Sequence, residues 1–283
     1  MSVSFEKWQA LGNDYVILGA PGLPWDLTPT RIRRICDPHF GIGSDGILLL
    51  SPSSDPDLVA DLRIFNPDGS EAELSGNGVR EAVLYLHRHG WTPGPRFSIG
   101  TQAGPVTPEI VDERTARVEM GRASTQSKDY PSGGEDGSGT LTAGGREWRF
   151  QHVSIGNPQC VIEAGDEIEE VDPGAIGPEI ESSELFPNRT NVSFVRIDGS
   201  EVRARIFERG VGETLSSGTG ASGAAVAAVL RGSQSPITVR LDGGELEVEV
   251  TDDLDVRLTG WAEPICAGEL SAELVATLGG LDG

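Results

Sequence analysis

Hydrophobic and polar residues alternate along much of this chain, which is the pattern of half-buried β-strands. In the first half the alternating stretches are VSFEKWQA, DLRIFN, RFSIGT and ARVEMG. In the second half they are WRFQHVSIG, TNVSFVRI, VRARIFE, ITVRL, ELEVEV and DVRLTG. Because turn residues separate these stretches, the sequence predicts sheets that are mainly antiparallel.

Two segments have the spacing of helices instead. GNGVREAVLYLHRHG (76–90) places its valines and leucines near one face and stops at Gly90. SGTGASGAAVAAVLRG (217–232) is small and apolar throughout, which is typical of a helix buried at the centre of a domain. Each predicted helix begins at a Ser-Gly-X-Gly sequence, and each serine follows a glutamate four residues earlier.

The chain also repeats itself weakly. GNDYVI (12–17) resembles GNPQCVI (156–162), ELSGNG resembles TLSSGTG, AGPVTPEI resembles GGELEVEV, and RVEMG resembles VRLTG. The four matches keep the same order at offsets of 144, 142, 140 and 139 positions. We therefore expect two similar halves in an α+β protein, each a curved, mainly antiparallel sheet around one central helix.

The boundaries of these halves follow from the repeat and from composition. We expect a first half at 1–121, with the C-terminal segment 266–283 as its possible addition, and a second half at 122–265. The stretch between the repeats, 123–145, is rich in Gly, Ser and Asp. It is typical of an exposed connection or a long hairpin.

Charge excludes several classes of partner. The chain carries 44 acidic and 22 basic residues, a formal net charge of −22, which repels nucleic acid and anionic membrane surfaces. The longest apolar runs are too short to span a bilayer. The four histidines show no metal-binding spacing. We expect a cytoplasmic protein that uses no metal and no cofactor.

The repeated Ser-Gly-X-Gly motif has two interpretations. A helix that begins there presents unpaired backbone N–H groups with little side-chain obstruction, so that a carboxylate or phosphate can approach. Alternatively, the serine only caps the helix and the glycines only allow close packing. Two copies favour the first interpretation, because two related halves packed about a pseudo-twofold axis would bring both helix starts to one cleft.

Such a cleft suits the inversion of a carbon stereocentre, where one group removes a proton and another returns one to the opposite face. Other polar residues are of the kind that hold an amino acid. Asn13, Asn66, Asn157 and Asn191 lie at turns or strand ends, where each is alternatively an ordinary turn residue. Glu208 and Arg209 end the strand before the second motif, where Glu208 can receive an ammonium and Arg209 can grip a carboxylate.

At these residues the sequence resembles the diaminopimelate epimerase family over nearly its whole length. The matching stretches are QALGNDYVI, FGIGSDGILLL, RIFNPDGSEAELSGNGVR, VSIGNPQCVI, LFPNRTNVSFV and RIFERGVGETLSSGTGASGAA. The resemblance implies cofactor-independent interconversion of LL- and meso-diaminopimelate in lysine biosynthesis, and a homodimer. By position it implies a substrate site of Asn13, Asn66, Asn157, Asn191, Glu208 and Arg209, with helix-start cradles at Gly76-Asn77 and Gly218-Thr219.

The chain departs from the family at the residues that carry the chemistry. The resemblance implies a catalytic cysteine at each of the positions occupied by Ser75 and Ser217. A serine hydroxyl is a far weaker acid than a thiol and needs a partner base. Gln159 stands where the family usually has His, and Glu81 where a Cys is common, which favours a natural divergent branch over an engineered inactive form.

Two further explanations stay open. The chain can still move protons, with a glutamate acting alone or through a serine at positions 75 and 217, on diaminopimelate or another small carboxylate. The nearest glutamates in sequence are Glu71, Glu73, Glu81 and Glu213, each of which is alternatively a solvated or capping carboxylate. The phenazine-biosynthesis isomerases offer a precedent by fold. Otherwise the chain is an amino-acid-binding homologue that has lost the chemistry.

Overall fold

The computed structural model of the chain describes residues 2–281, in which the alternating stretches form strands. The strands are β1 (Ser4–Ala10), β2 (Asn13–Gly19), β3 (Ile47–Ser51), β4 (Asp61–Phe65), β5 (Glu71–Ala72), β6 (Ile99–Thr101), β7 (Gly104–Val106), β8 (Glu109–Ile110), β9 (Thr115–Arg122), β10 (Ser138–Ala143), β11 (Arg146–Ser154), β12 (Pro158–Glu163), β13 (Asn191–Asp198), β14 (Glu201–Glu208), β15 (Gly212–Thr214), β16 (Ile237–Leu241), β17 (Gly244–Val250), β18 (Asp255–Trp261) and β19 (Glu263–Glu269). The α-helices are α1 (Pro29–Cys36), α2 (Gly76–Arg88), α3 (Pro173–Glu181), α4 (Gly218–Leu230) and α5 (Ala272–Gly280).

The chain divides into two units. The first consists of Met1–Val118 and Trp261–Gly283, and the second of Glu119–Gly260. The divisions fall within β9 and β18. Residues 261–265 lie with the first unit because β19 pairs with β1. Of the predicted first half and C-terminal segment, Met1, Asp282 and Gly283 lie outside the described residues.

The sheet of the first unit has the strand order β19-β1-β2-β3-β4-β6-β7, with the short β5 paired to β4. Only the β2·β3 and β4·β6 pairs along this order are parallel. The strands β3 and β4 are buried along most of their length, and Val16, Ile32, Ile35 and Phe65 join the core against which α1 and α5 pack.

The sheet of the second unit has the order β10-β11-β12-β13-β14-β16-β17-β18, with the short β15 paired to β14. The β12·β13 and β14·β16 pairs are parallel. The prediction of an α+β fold with mainly antiparallel sheets in two units is therefore confirmed. The segment 123–145, predicted as an exposed connection or a long hairpin, ends in the hairpin of β10 with β11. It is partly buried, because Tyr130, Leu141 and Ala143 join the second core.

The two predicted helices appear as α2 and α4. The helix α4 is almost entirely buried from Gly218 to Ala228, and its alanines and glycines let strands β11 to β14 and β16 to β17 pack closely around it. The helices α1, α3 and α5 escaped prediction because they are short. Each has its own cap, in which Thr28, Asp172 or Ser271 accepts a hydrogen bond from a backbone N–H in the first turn.

The internal repeat is visible where the central helices begin. In the first unit the order is strand β4, short antiparallel strand β5, helix α2; in the second it is β14, β15, α4. The registers also correspond, since Phe65 lies opposite Glu71 and Phe207 lies opposite Glu213. These pairs are 142 positions apart, as the serine motifs are. The same local structure therefore presents each motif.

The contact between α3 and β14 gives a test of this packing. A Cβ added at Gly177 would lie 2.4 Å from Cγ and 2.9 Å from Cβ of Phe207, so that a rotation of the ring alone would not relieve the contact. We expect Gly177→Ala to lower the free energy of unfolding by about 1–3 kcal/mol, although alanine favours helix formation by up to about 1 kcal/mol. Urea denaturation measures this. The control is Gly94→Ala, where the added Cβ has no neighbour within 4 Å, and equal stability of the two variants would contradict the packing.

Candidate active site

The helix α2 begins directly after Ser75, which is in an extended conformation (φ −138°, ψ 121°). The Oγ of Ser75 accepts a hydrogen bond from the N–H of Gly78 at 3.1 Å. The hydroxyl of Tyr15 donates to the same oxygen at 3.3 Å. Since a hydroxyl oxygen has two lone pairs, both are occupied, and the hydrogen of Ser75 remains to be donated.

The helix α4 begins after Ser217 with nearly the same backbone (φ −145°, ψ 122°), and the Oγ of Ser217 accepts from the N–H of Gly220 at 3.2 Å. Its second partner is different, because Ser217 forms a side-chain hydrogen bond with the carboxyl group of Glu208. This bond favours the charged carboxylate, which can only accept, so Ser217 is the donor. The two serines thus have similar backbone conformations, but Ser75 accepts a hydrogen bond from its neighbouring side chain, Tyr15, whereas Ser217 donates one to Glu208.

Glu208 is the carboxyl group that the second unit brings to its helix start. Burial raises the pKa of Glu208, while the hydrogen bonds with Thr214 and Ser217 oppose the rise. The Oγ1 of Thr214 donates to Glu208 at 3.2 Å. A carboxylate with a raised pKa is a stronger base than an exposed one and is better suited to accept a proton.

The glutamates four residues before each serine have a structural partner. The guanidinium of Arg63 on β4 binds both carboxylate oxygens of Glu71, at 2.8 and 2.7 Å. Arg205 on β14 binds Glu213 at 2.7 Å in the second unit. These pairs tie the short strands β5 and β15 to their neighbours, just before the helices. The hydrogen bond with Arg63 lowers the pKa of Glu71, so this carboxylate stays ionised and is a poor base.

A chain of hydrogen bonds fixes the amide groups in the first unit. Arg80 Nη2 donates to Asn77 Oδ1 at 2.6 Å, Asn77 Nδ2 donates to Asn13 Oδ1 at 3.1 Å, and Asn13 Nδ2 donates to Asp45 at 3.0 Å. Each bond sets the orientation of the next amide. The structure thereby joins Asn13 to the start of α2.

The second unit has a shorter version of the same arrangement. Asn157 Nδ2 donates to Thr219 Oγ1 at 3.3 Å, and Gln159 Nε2 donates to Asn157 Oδ1 at 2.6 Å. Thr219 occupies the second position of α4, as Asn77 does in α2. Gln159, which stands where the resemblance implies His, is fully buried and orients Asn157.

Three predicted substrate residues make side-chain hydrogen bonds outside these sets, although Asn191 lies opposite Gln159 in the β12·β13 pair. Asn66 donates to Ser70 Oγ at 2.9 Å within its own turn. Asn191 accepts from the N–H of Arg209 at 2.8 Å and donates to the backbone oxygen of Pro158. Asn191 is buried, whereas Arg209 is exposed.

The remaining candidate carboxyl groups differ in environment. Glu73 is exposed. Glu81 is buried on α2, and burial raises its pKa well above the usual value, against the opposing charge of Arg80. Burial lowers the pKa of Arg80 to about 10. Glu208 is therefore the candidate that combines a raised pKa with a bond to one of the two serines.

Sequence reasoning missed two residues of the first helix start. Tyr15 is named only within the stretch GNDYVI, and nothing in the sequence shows that its hydroxyl reaches a residue 60 positions away. Arg80 is missed because a charged residue on a helix is usually exposed, whereas here it is fully buried. Within residues 2–281 no group of three or more His, Cys, Asp and Glu side chains is placed to hold a metal ion.

Comparison with known proteins shows the family and the fold. The sequence model described as diaminopimelate epimerase matches residues 5–126 and 151–263. Diaminopimelate epimerase 2 of Nostoc sp. is 42% identical, covering 97% of this chain and 98% of that protein. Diaminopimelate epimerase of Pelotomaculum thermopropionicum is 39% identical, covering 94% and 98%. A probable proline racemase from Agrobacterium radiobacter has the same fold, with a TM-score of 0.68 and 17% identity over 95% of this chain and 93% of that one.

The fold and these relatives define an isomerase of the amino-acid epimerase class. Residues 127–150, which include the β10 hairpin strand, lie outside the two matched segments. Within its class the chain belongs to the diaminopimelate epimerase family. No helix in the described part of the chain has the length and apolar character needed to cross a membrane.

The raised pKa of Glu208 has a consequence for stability. Its carboxyl group ionises near pH 4.3 in the unfolded chain and at higher pH in the folded chain, so the folded state keeps a proton that the unfolded state has lost. The stability that Glu208 contributes therefore falls as pH rises from its pKa in the unfolded chain to its higher pKa in the folded chain. We expect Glu208→Gln to gain stability relative to the unmutated chain as pH rises from 4 to 8, measured by urea denaturation.

Glu71→Gln is the matched control of opposite sign. The pKa of Glu71 is lowered by Arg63, so its stabilisation is present above the unfolded pKa and is lost as pH falls through the folded one. This variant should be less stable than the unmutated chain at neutral pH and approach it in acid. Parallel pH profiles for the two variants would contradict the described environments.

Proposed function

We propose that the chain is a cofactor-independent epimerase that moves the α-proton of diaminopimelate, interconverting its LL and meso forms in lysine biosynthesis. The names of the relatives support this substrate. The observation that carries the chemistry is the hydrogen bond between Ser217 and Glu208 at the start of α4. It supplies a base at a position where serine alone has none.

In this proposal Glu208 is the proton acceptor of the second unit. Ser217 takes the α-proton as its own hydroxyl proton passes to Glu208, so the serine ends neutral and the carboxylate ends protonated. Glu208 then loses that proton to solvent. The backbone N–H groups at Gly218 and Thr219 stabilise negative charge that develops on the substrate carboxylate, because the start of a helix is electropositive.

The substrate ligands follow from the predicted residues. Asn13 and Asn77 of the first unit, and Asn157 of the second, have amide groups fixed by the hydrogen bonds described above. Asn66, Asn191, Arg209 and Gly76 complete the proposed substrate-binding set. That the residues of both units hold one substrate molecule is a prediction from the duplicated motif.

The first test is exchange of the α-proton. Purified protein in D₂O should wash deuterium into the α-position of LL- or meso-diaminopimelate, detected by mass spectrometry. Glu208→Gln should lower the exchange rate by about 10²–10⁴-fold, the usual contribution of a general base, and Ser217→Ala should lower it at least as far, because Ser217 is the group that takes the α-proton.

Glu201→Gln is the control for this test. Glu201 lies on the same strand, β14, and its carboxylate pairs with Arg240 on the surface, so its loss should leave exchange unchanged. Absence of exchange with diaminopimelate and with a panel of amino acids would rule out epimerase activity. Calorimetric binding of the same compounds without exchange would then identify a binding protein.

The second test restores thiols. A thiol at a helix start ionises near neutral pH without a partner base, so a combined Ser75→Cys and Ser217→Cys variant should exchange the α-proton faster than the unmutated chain. A gain on diaminopimelate, but not on alanine or proline, would show that the surrounding residues are built for the longer substrate. Loss of all exchange in a folded double variant would contradict the proposed positions.

A further inference from the structure

Tyr15 lies against the serine that has no carboxylate partner. Its ring is 6% exposed, and its hydroxyl donates to Ser75 Oγ at 3.3 Å. The backbone of Gly46 lies close to the ring, since a Cβ added at position 46 would lie 2.7 Å from ring atom Cε1 of Tyr15. Gly46 therefore leaves the space that the ring occupies. The hydroxyl reaches Ser75 from a fixed position on β2.

The direction of this bond is opposite to that in the second unit. Ser217 donates its hydrogen to Glu208, whereas Ser75 accepts from Tyr15 and from Gly78. Among residues 2–281 no atom accepts the hydrogen of Ser75, which leaves that hydrogen available to a ligand. The second unit is thus set to receive a proton and the first to give one.

We propose that Tyr15 is the proton-relay residue behind Ser75, a positioning residue for the reaction described under the proposed function, on which this inference rests. When Ser75 donates its proton to the α-carbon, the O–H bond of Ser75 breaks and a Cα–H bond forms. The Tyr15 proton passes to Ser75 Oγ, and the resulting tyrosinate regains a proton from solvent. In the reverse direction each transfer runs backward.

The relay explains how a serine can transfer a proton at position 75, where a thiol could do so without a partner. A serine that gives up its proton becomes an alkoxide, which is far too basic to persist without a nearby acid. A phenol, with an ordinary pKa near 10, is a much stronger acid than serine and restores the hydroxyl at once. A thiolate needs no such partner.

The first experiment tests the bond itself and needs no substrate. Ser75→Cys introduces a thiol whose ionisation is followed by thiolate absorbance, in a chain that also carries Cys266→Ser to remove the exposed thiol. The buried thiols of Cys36 and Cys160 interfere little, because burial raises the pKa of each. Adding Tyr15→Phe should raise the pKa of the introduced thiol by about one unit, the value of one hydrogen bond to a charged group.

Tyr130→Phe is the matched control for this titration. Tyr130 is also a buried tyrosine, but it lies in the second unit, where its hydroxyl contacts the backbone of Ser138. Its change should leave the introduced thiol unaffected. An unchanged thiol pKa after Tyr15→Phe would overturn the inference.

The second experiment tests the relay during turnover. Tyr15→Phe should lower the rate of epimerisation about 10²-fold. With α-deuterated substrates, the kinetic isotope effect should rise in the direction where Ser75 removes the deuteron and fall in the other, since transfer at Ser75 has become limiting. If Tyr15 had a purely structural role, its loss would lower the rates in both directions without changing either isotope effect. That result would overturn the relay.

Rescue completes the test. Ser75→Cys added to Tyr15→Phe should recover most of the lost rate, because a thiol carries its proton without help; failure to recover in a folded variant would overturn the relay. If the protein exchanges no α-proton of diaminopimelate, the proposed function is wrong, but this result does not decide the role of Tyr15. The titration would still decide whether Tyr15 acts on residue 75.

Discussion

The hydrogen bond from a backbone N–H to a serine Oγ at the start of each central helix is the constraint on which both candidate sites depend. Such a cap stabilises a helix by about 0.5–2 kcal/mol. It also fixes the serine rotamer, since Oγ must face the first turn. Ser75 and Ser217 have nearly identical backbone angles for this reason. The cap leaves one further lone pair and one hydrogen on each serine. The neighbouring side chain, Tyr15 or Glu208, determines whether the serine accepts or donates the second hydrogen bond.

The ion pairs before the helices keep the serines where the caps need them. A two- or three-residue strand makes few backbone bonds of its own, so β5 and β15 depend on side chains for their position. Arg63 with Glu71, and Arg205 with Glu213, join each short strand to the longer one beside it. The recurring glutamate four residues before each serine therefore anchors the strand, and its charge is already neutralised by an arginine.

The sequence predicts the local parts of this arrangement well, and the structure contains them. Alternation of apolar residues predicts the strands, and the small apolar stretch around Ala224 predicts the buried helix α4. The offset of 142 positions predicts that the starts of α2 and α4 correspond, and the structure extends the correspondence to β5 and β15. The features that the sequence does not predict depend on contacts between distant parts of the chain. Tyr15 meets Ser75 only because β2 packs beside α2, and the short helices α1, α3 and α5 rely on caps and on cores formed by distant strands.

Under the proposed function, serine instead of cysteine at positions 75 and 217 accounts for the different neighbours of the two helix starts. Two cysteines can play identical roles, because each thiol ionises on its own and either can give or take a proton. Two serines cannot, because each needs a neighbour with a pKa nearer to neutral. A carboxyl group such as Glu208 favours taking a proton, whereas a phenol such as Tyr15 favours giving one. In the proposed reaction, Ser75 and Ser217 therefore need different neighbours.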